Sequence, residues 1–352
     1  MTDQYFVYIG TYTKGASEGI YVYRLSMPSG ALEYVSKTTG VENPSFLDIH
    51  PSQRYLYAVN ENSEGEVSAF SIDASSGELT FLNKQSTHGA APCHLSLDPS
   101  GQCVLVANYT SGNVCAYPIQ SDGTLAAAST NIQHQGSSIG PRQQGPHAHS
   151  ITPDAAGRFA FAADLGIDQV LIYQLDPKGE LTPHDPPHTQ VEAGQGPRHF
   201  DFHPNGKYAY LINEIGNTFT AFTYDAASGT LDEIHSVSTL PEDFTGTSHC
   251  ADVHIHPSGK FVYGSNRGHD SIAVATIDAA TGRLSSVSCQ SKGIKNPRNF
   301  ALDPTGTYLF VANQDTDDIV TFRIDQTTGQ LEPTGQVTEV PTPVCIKMMP
   351  IS

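Results

Sequence analysis

Residues 194–214 read GQGPRHFDFHPNGKYAYLINE. Residues 199–203 form a short alternating run, and Pro204, Asn205, Gly206 and Lys207 follow as a tight turn. Residues 208–213 form a second run, rich in aromatic and branched side chains. Two short runs joined by a Pro/Gly turn predict an antiparallel hairpin. In a hairpin the start of the first strand lies beside the end of the second, so Arg198 and Glu214 are expected together on the rim opposite the turn. A structural salt bridge would leave the same trace.

The turn proline recurs at Pro51, Pro99, Pro153, Pro204, Pro257, Pro304 and Pro350, at spacings of 46 to 54 residues. An independent landmark, Gly followed two positions later by Leu, begins at Gly30, Gly77, Gly123, Gly179, Gly229, Gly282 and Gly329. Both count seven. Each unit reads as four strands, with the proline turn between strands one and two and the Gly-x-Leu turn between strands three and four. No long stretch shows a helical period. Four-stranded units near 50 residues apart indicate propeller blades. A solenoid would need atypical capping repeats at its ends. Here the first unit lacks its innermost strand, and a matching strand appears at residues 343–349. The expected fold is therefore all-β: one seven-bladed β-propeller over residues 1–352. Its first blade is shared between about 5–40 and 342–349, which leaves no open sheet edge in the ring.

Innermost strands open six residues before the turn proline. Counted so, the column facing the axis is Ser45, Cys93, His147, Arg198, Ala251, Arg298 and Val344. Blade four is taken to carry two extra residues in its turn. The next positions are Phe46, His94, Ala148, His199, Asp252 and Asn299. Second strands end in Thr11-Tyr12, Asn60-Glu61, Asn108-Tyr109, Asp164-Leu165, Asn213-Glu214, Asn266-Arg267 and Asn313-Gln314. Both columns belong to one rim, so His147, Arg198, Arg298, Glu214 and Arg267 are expected at one mouth of the central channel. The recurrent Asn reads as a structural loop tie. His50, His203 and His256 face the far rim as structural residues. His254 and His256 resemble a metal pair, but no carboxylate column meets them, and no metal is expected. Two long rim loops, 133–146 and 240–249, suit either covers over the mouth or tolerated insertions; the first carries Arg142.

Composition narrows the function. The formal net charge is -18, which disfavours nucleic acid and anionic membrane as partners. Three arginines at one mouth form the local basic pocket that a small anionic ligand requires. The apolar runs are too short to span a bilayer, and no leader opens the chain. The six cysteines lack a CxxC pair, which fits a reducing cytosol and excludes a disulfide scaffold.

In combination, GPHAHS at 145–150, GPRH at 196–199, Asn213-Glu214, SNRGHDS at 265–271 and NPRNF at 296–300 resemble the seven-bladed propeller lactonases. That family includes bacterial propeller-type 6-phosphogluconolactonases and a fungal carboxymuconate lactonizing enzyme. The resemblance covers essentially the whole chain. It implies a cytoplasmic carboxylic ester hydrolase that opens 6-phosphogluconolactone to 6-phosphogluconate in the pentose phosphate pathway, with no cofactor and no metal. It implies catalytic roles for His147, Arg198, Glu214 and Arg267. His94, Arg298 and Gln314 share the rim and are candidate substrate-binding residues. The expected state is a monomer or weak homo-oligomer.

Lactone opening needs an activated water, stabilisation of the carbonyl oxygen and a proton for the leaving alkoxide. His147 is the natural proton carrier. Glu214 holds Arg198 or acts as the base; Arg198 and Arg267 stabilise the oxyanion or grip the phosphate. Rival readings are ring closure on an unsaturated dicarboxylate, a metal-dependent lactonase and a non-catalytic interaction platform. The Gly-, Ser-, Asn-, Asp- and Thr-rich rim loops argue against the platform.

Overall fold

The computed structural model of the chain describes residues 3–351. Among them are 28 strands, β1 to β28 in chain order, and no helix. They form seven antiparallel sheets of four strands. Six sheets take four consecutive strands each, from β4–β7 (Leu47–Ile49, Tyr55–Asn60, Glu66–Ile72 and Leu79–Ser86) to β24–β27 (Pro297–Leu302, Tyr308–Asn313, Asp318–Ile324 and Leu331–Glu339), and the seventh has the order β28-β1-β2-β3, with β2 at Gly19–Ser26 and β3 at Ala31–Thr39. β28 (Pro343–Pro350) pairs with β1 (Gln4–Thr11), Tyr5 opposite Pro350 and Gly10 opposite Cys345. The C-terminal strand thus completes the blade that the N-terminus begins. First strands touch first strands all the way round, β4 to β8 (Pro92–Leu97), β12 (Ala148–Pro153), β16 (Pro197–Phe202), β20 (His249–Ile255), β24 and β28, and back to β4. The structure is a closed seven-bladed propeller with β4, β8, β12, β16, β20, β24 and β28 lining the axis.

Burial follows from this stacking. Second strands such as β9 (Cys103–Asn108), β17 (Tyr208–Asn213) and β25 (Tyr308–Asn313) are buried on both faces, because a blade packs against each. That is why they read as nearly continuous apolar runs. Outer strands such as β19 (Thr230–Ser238) and β27 (Leu331–Glu339) alternate between partly buried and exposed positions after their first buried leucine.

Repeated side chains tie each blade to the next. The hydroxyls of Tyr8, Tyr57, Tyr210 and Tyr263 donate to the carbonyls of Gly77, Gly123, Gly282 and Gly329 at 2.9–3.0 Å. These glycines belong to the next blade's Gly-x-Leu turn, which explains why that landmark recurs. His50, His203 and His256 meet the carbonyls of Gly101, Gly259 and Gly306 at 2.7–2.9 Å. Gly259 has φ +72°, and a Cβ there would lie 2.6 Å from the His203 ring, so the position excludes any side chain. Four of the recurrent asparagines tie the incoming connection, whereas Asn213 donates to Thr218 and Thr220 across its own loop. Asn60, Asn108, Asn266 and Asn313 donate to Glu42, Thr87, Thr239 and Gly293 carbonyls at 2.8–3.1 Å.

One register differs from the sequence expectation. Asp154 N bonds Phe159 O, and Gly157 N bonds Asp154 O. His203, Tyr208 and Gly206 make the same pattern in blade five. Ala155 therefore occupies the turn-proline position, and blade four has no extra residues; Pro153 is the last residue of β12 (Ala148–Pro153). Ala148 pairs with Asp164 as Pro197 pairs with Asn213, each followed by a bulge. The blade-four counterpart of Arg198 is consequently His149, not His147.

Candidate active site

The two hairpin ends that define the rim carry the charged cluster. Arg198, second residue of β16 (Pro197–Phe202), and Glu214, directly after β17, meet as the hairpin requires: Arg198 Nε donates to Glu214 Oε2 at 2.9 Å. Arg267, last residue of β21 (Phe261–Arg267), donates from Nη2 to the same oxygen at 2.9 Å. Arg142, from the long loop, donates to Oε1 at 2.6 Å and to the Tyr109 hydroxyl at 3.1 Å. The loop therefore lies over the mouth. The second long loop instead sets Phe244 edge-on to His269.

A cavity of about 250 Å³ opens here, lined by Tyr12, Glu61, Cys93, Tyr109, Arg142, His149, Glu214, Arg267 and Arg298. Arg298 lies over the Tyr12 ring at 5.4 Å, with Nη2 3.9 Å from Glu61 Oε1. Glu61 also accepts from the Tyr12 hydroxyl at 2.9 Å and from Ser45 Oγ at 2.5 Å. Beneath the cavity a void of about 10 Å³ is bounded by Arg198, His199, Arg298, Cys93 and their neighbours, roughly the volume one water occupies. Arg198 is 1% exposed and forms this floor.

Four of the chain's nine arginines converge on this site, against Glu61 and Glu214. Burial alone would raise the Glu214 carboxyl, but Arg267, Arg198 and Arg142 outweigh it and hold it well below the usual carboxylate range. Burial, then repulsion from Arg267 and Arg298, lowers Arg198 to about 10, where it stays protonated at neutral pH. Burial and the neighbouring cations Arg198, Arg298 and Arg267 push His149 well below the ordinary imidazole value. The His149 ring is thus held neutral, its Nε2 3.9 Å from Glu214 Oε2.

The structure distributes the sequence candidates unevenly. Arg198, Glu214 and Arg267 meet, and Arg298 lines the same cavity. His147 sits one step out, stacked on Tyr109 at 4.6 Å with Nδ1 2.9 Å from the Tyr109 carbonyl. It does not line the cavity; aligning on Pro153 displaced it by two residues. His94 lines a different cavity, of about 380 Å³, beyond the floor, and packs at a tilt against Phe46, ring centres 4.3 Å apart. Its place one residue further along β8 (Pro92–Leu97) carries it past the cysteine that faces the mouth. Gln314 turns its amide to Asp315 at 3.5 Å and lies outside the cavity. His254 and His256 diverge, to Asp252 and to Gly306.

Tyr12, Glu61 and Tyr109 are lining residues that sequence reasoning missed. Their signal was present, since they share the strand-two column with Glu214 and Arg267. Arg142 had only its place in a long loop. His149 needed the blade-four register.

A family model described as "Lactonase, 7-bladed beta-propeller" matches residues 6–348. A 6-phosphogluconolactonase of Bacillus subtilis is 40% identical over 98% of this chain and 99% of its own length. A 6-phosphogluconolactonase of Formosa agariphila is 33% identical over 84% of this chain and 86% of its own. The structure of the Pseudomonas aeruginosa periplasmic gluconolactonase PpgL superposes with a TM-score of 0.94 at 33% identity, covering 99% of this chain and 100% of that one. With a closed ring of seven four-stranded blades and a matching model along nearly its whole length, the chain belongs to the seven-bladed β-propeller lactonase family.

Proposed function

We propose that the protein hydrolyses 6-phosphogluconolactone to 6-phosphogluconate, and that the arginine-rich cavity is where it does so. The observation that carries this reading is the surplus of guanidinium groups around one buried carboxylate in a chain of net charge -18. Such a pocket selects a small anion and discourages other ligands. The names of the Bacillus and Formosa relatives point to the same substrate.

In this reading His149, held neutral, takes a proton from water as the water oxygen attacks the lactone carbonyl. Glu214, 3.9 Å away, offsets the charge that the imidazole gains. Arg267 and Arg198 hold the oxyanion that develops on the carbonyl oxygen. The C–O ester bond then breaks, and His149 returns the proton to the departing ring oxygen. Arg298 and Arg142, further round the cavity, receive the phosphate. Glu214, locked by three cations, is a poor base and serves to organise them. Six unpaired cysteines accord with a reducing cytosol. Among the described residues, no helix is long and apolar enough to cross a membrane.

The test is direct. The purified protein, assayed on 6-phosphogluconolactone, on unphosphorylated gluconolactone and on unsaturated dicarboxylates, should prefer the first. Arg198→Ala and Arg267→Ala should each lower turnover about 100- to 1000-fold, the typical cost of losing a charge-stabilising donor, with the fold intact by circular dichroism. Equal turnover of the phosphorylated and plain lactones would sink the phosphate assignment, and faster reaction of the dicarboxylate would replace hydrolysis with ring closure.

A further inference from the structure

Directly beneath Arg198 lies a chain of hydrogen bonds that the reaction above does not use. Arg198 Nη1 donates to His199 Nε2 at 3.3 Å and to the Ala251 carbonyl. On the other side of the ring, His199 Nδ1 lies 2.7 Å from Asp252 Oδ1. Asp252 Oδ2 receives His254 Nε2 at 2.9 Å and Asn299 Nδ2 at 2.5 Å. Asn299 Oδ1 in turn accepts from Ile346 N at 2.8 Å. His199 and Asp252 are both buried.

The chemistry of the chain has a direction. A carboxylate only accepts, so the proton between His199 and Asp252 resides on His199 Nδ1. That leaves Nε2 with a lone pair, and Nε2 faces a guanidinium, which only donates. The arrangement is a polar relay, acid to imidazole to guanidinium, in which each member fixes the orientation of the next. Burial and the charge of Arg198 lower His199 to about 4, in keeping with a neutral ring.

We propose that His199 and Asp252 are positioning residues that hold the Arg198 guanidinium in its catalytic orientation at the cavity floor. Asp252 selects the His199 tautomer, and His199 supplies the acceptor that turns Arg198 Nη1 away from the cavity while Nε stays on Glu214. The inference rests on the reading that this cavity is a hydrolytic centre.

The experiment is a double-mutant cycle on the full chain, with 6-phosphogluconolactone as the probe and thermal unfolding recorded for every variant. His199→Phe keeps the ring volume and removes the acceptor; kcat should fall about 10- to 100-fold, the range for a hydrogen bond to a charged group, with KM within about threefold. His199→Gln, whose amide oxygen can replace Nε2, should recover most of kcat. In an Arg198→Ala background, His199→Phe should cost nothing further, because residues that act through one group are not additive. Asp252→Asn should repeat the His199→Phe phenotype more weakly. Full activity in His199→Phe, or the same fold-loss with and without Arg198, overturns the relay. A parental rate for Arg198→Ala itself would instead remove the reading of the cavity. Should His199→Phe not fold, Asp252→Asn carries the same comparison in both backgrounds.

Discussion

At the scale of single residues, two histidines with different surroundings lie only two positions apart in sequence. His149 lines the cavity beside Glu214, and His147 stacks outside it on Tyr109. His149→Ala is expected to lower kcat/KM at least about 100-fold, as loss of a general base does. His147→Ala should cost far less, acting only through the placement of Tyr109. Steady-state kinetics of the two variants checks this, and the reverse order would return the base to His147. The depressed His149 pKa has its own consequence: the acid limb of kcat/KM should lie below pH 6.5, because the free enzyme keeps the base neutral there.

Glu214 bears on stability as well as on chemistry. Its folded carboxyl titrates below the ordinary value of 4.5. A carboxyl lowered on folding contributes stability that is full above its unfolded pKa and is lost as pH falls through the folded one. Unfolding followed from pH 7 downward should therefore steepen below about 4.5 in the parent and flatten in Glu214→Gln. At neutral pH the same variant should lose about 3–5 kcal/mol, the cost of removing one partner of a buried ionic cluster; denaturant titration at both pH values measures each effect.

At the scale of elements, the hairpin is the unit that translates sequence into site. Antiparallel pairing sets strand start beside strand end, so Arg198 and Glu214 were legible together from residues 194–214 alone. The same rule made the strand-two column legible, including Tyr12, Glu61 and Tyr109, although an uncharged or lone residue in a column carries little chemical signal by itself. Loop 133–146 was not legible in this way, because a loop has no periodicity to fix where its side chains go. Its Arg142 closes the mouth through Glu214 and Tyr109. Arg142→Ala should raise KM for the phosphorylated lactone about tenfold, as expected for one lost charge-assisted contact, and leave the unphosphorylated lactone nearly unchanged. Equal effects on both substrates would assign the loop to general closure instead of phosphate recognition.

At the scale of the molecule, the ring is held by the β28–β1 ladder and by repeated blade-to-blade ties from tyrosine and histidine to turn glycines. Removing residues 343–352 would open β1 as an unpaired edge in a sheet that is otherwise closed. The truncated chain should lose the parental cooperative unfolding transition and associate, which calorimetry and size-exclusion chromatography detect. A truncated chain that remains monomeric and melts like the parent would show that the last strand is dispensable to the ring. The mouth draws its groups from several blades, so partial opening should abolish activity before the remaining blades unfold.

What the sequence by itself determined was the count of seven, the four-stranded unit, the shared blade and the meeting of Arg198 with Glu214. All of these follow from local rules: alternation along strands, turn residues at fixed offsets, and the geometry of a hairpin. Only the tertiary structure decided that His149 faces the axis in blade four, that His94 lies beyond the floor, and that Arg142 reaches the mouth. The physical reason is register. A proline at 153 marks a turn in sequence, but hydrogen bonds from Asp154 and Gly157 place that turn two residues later than the same mark does elsewhere; backbone pairing, not residue type, sets which side chain meets its neighbours across the ring.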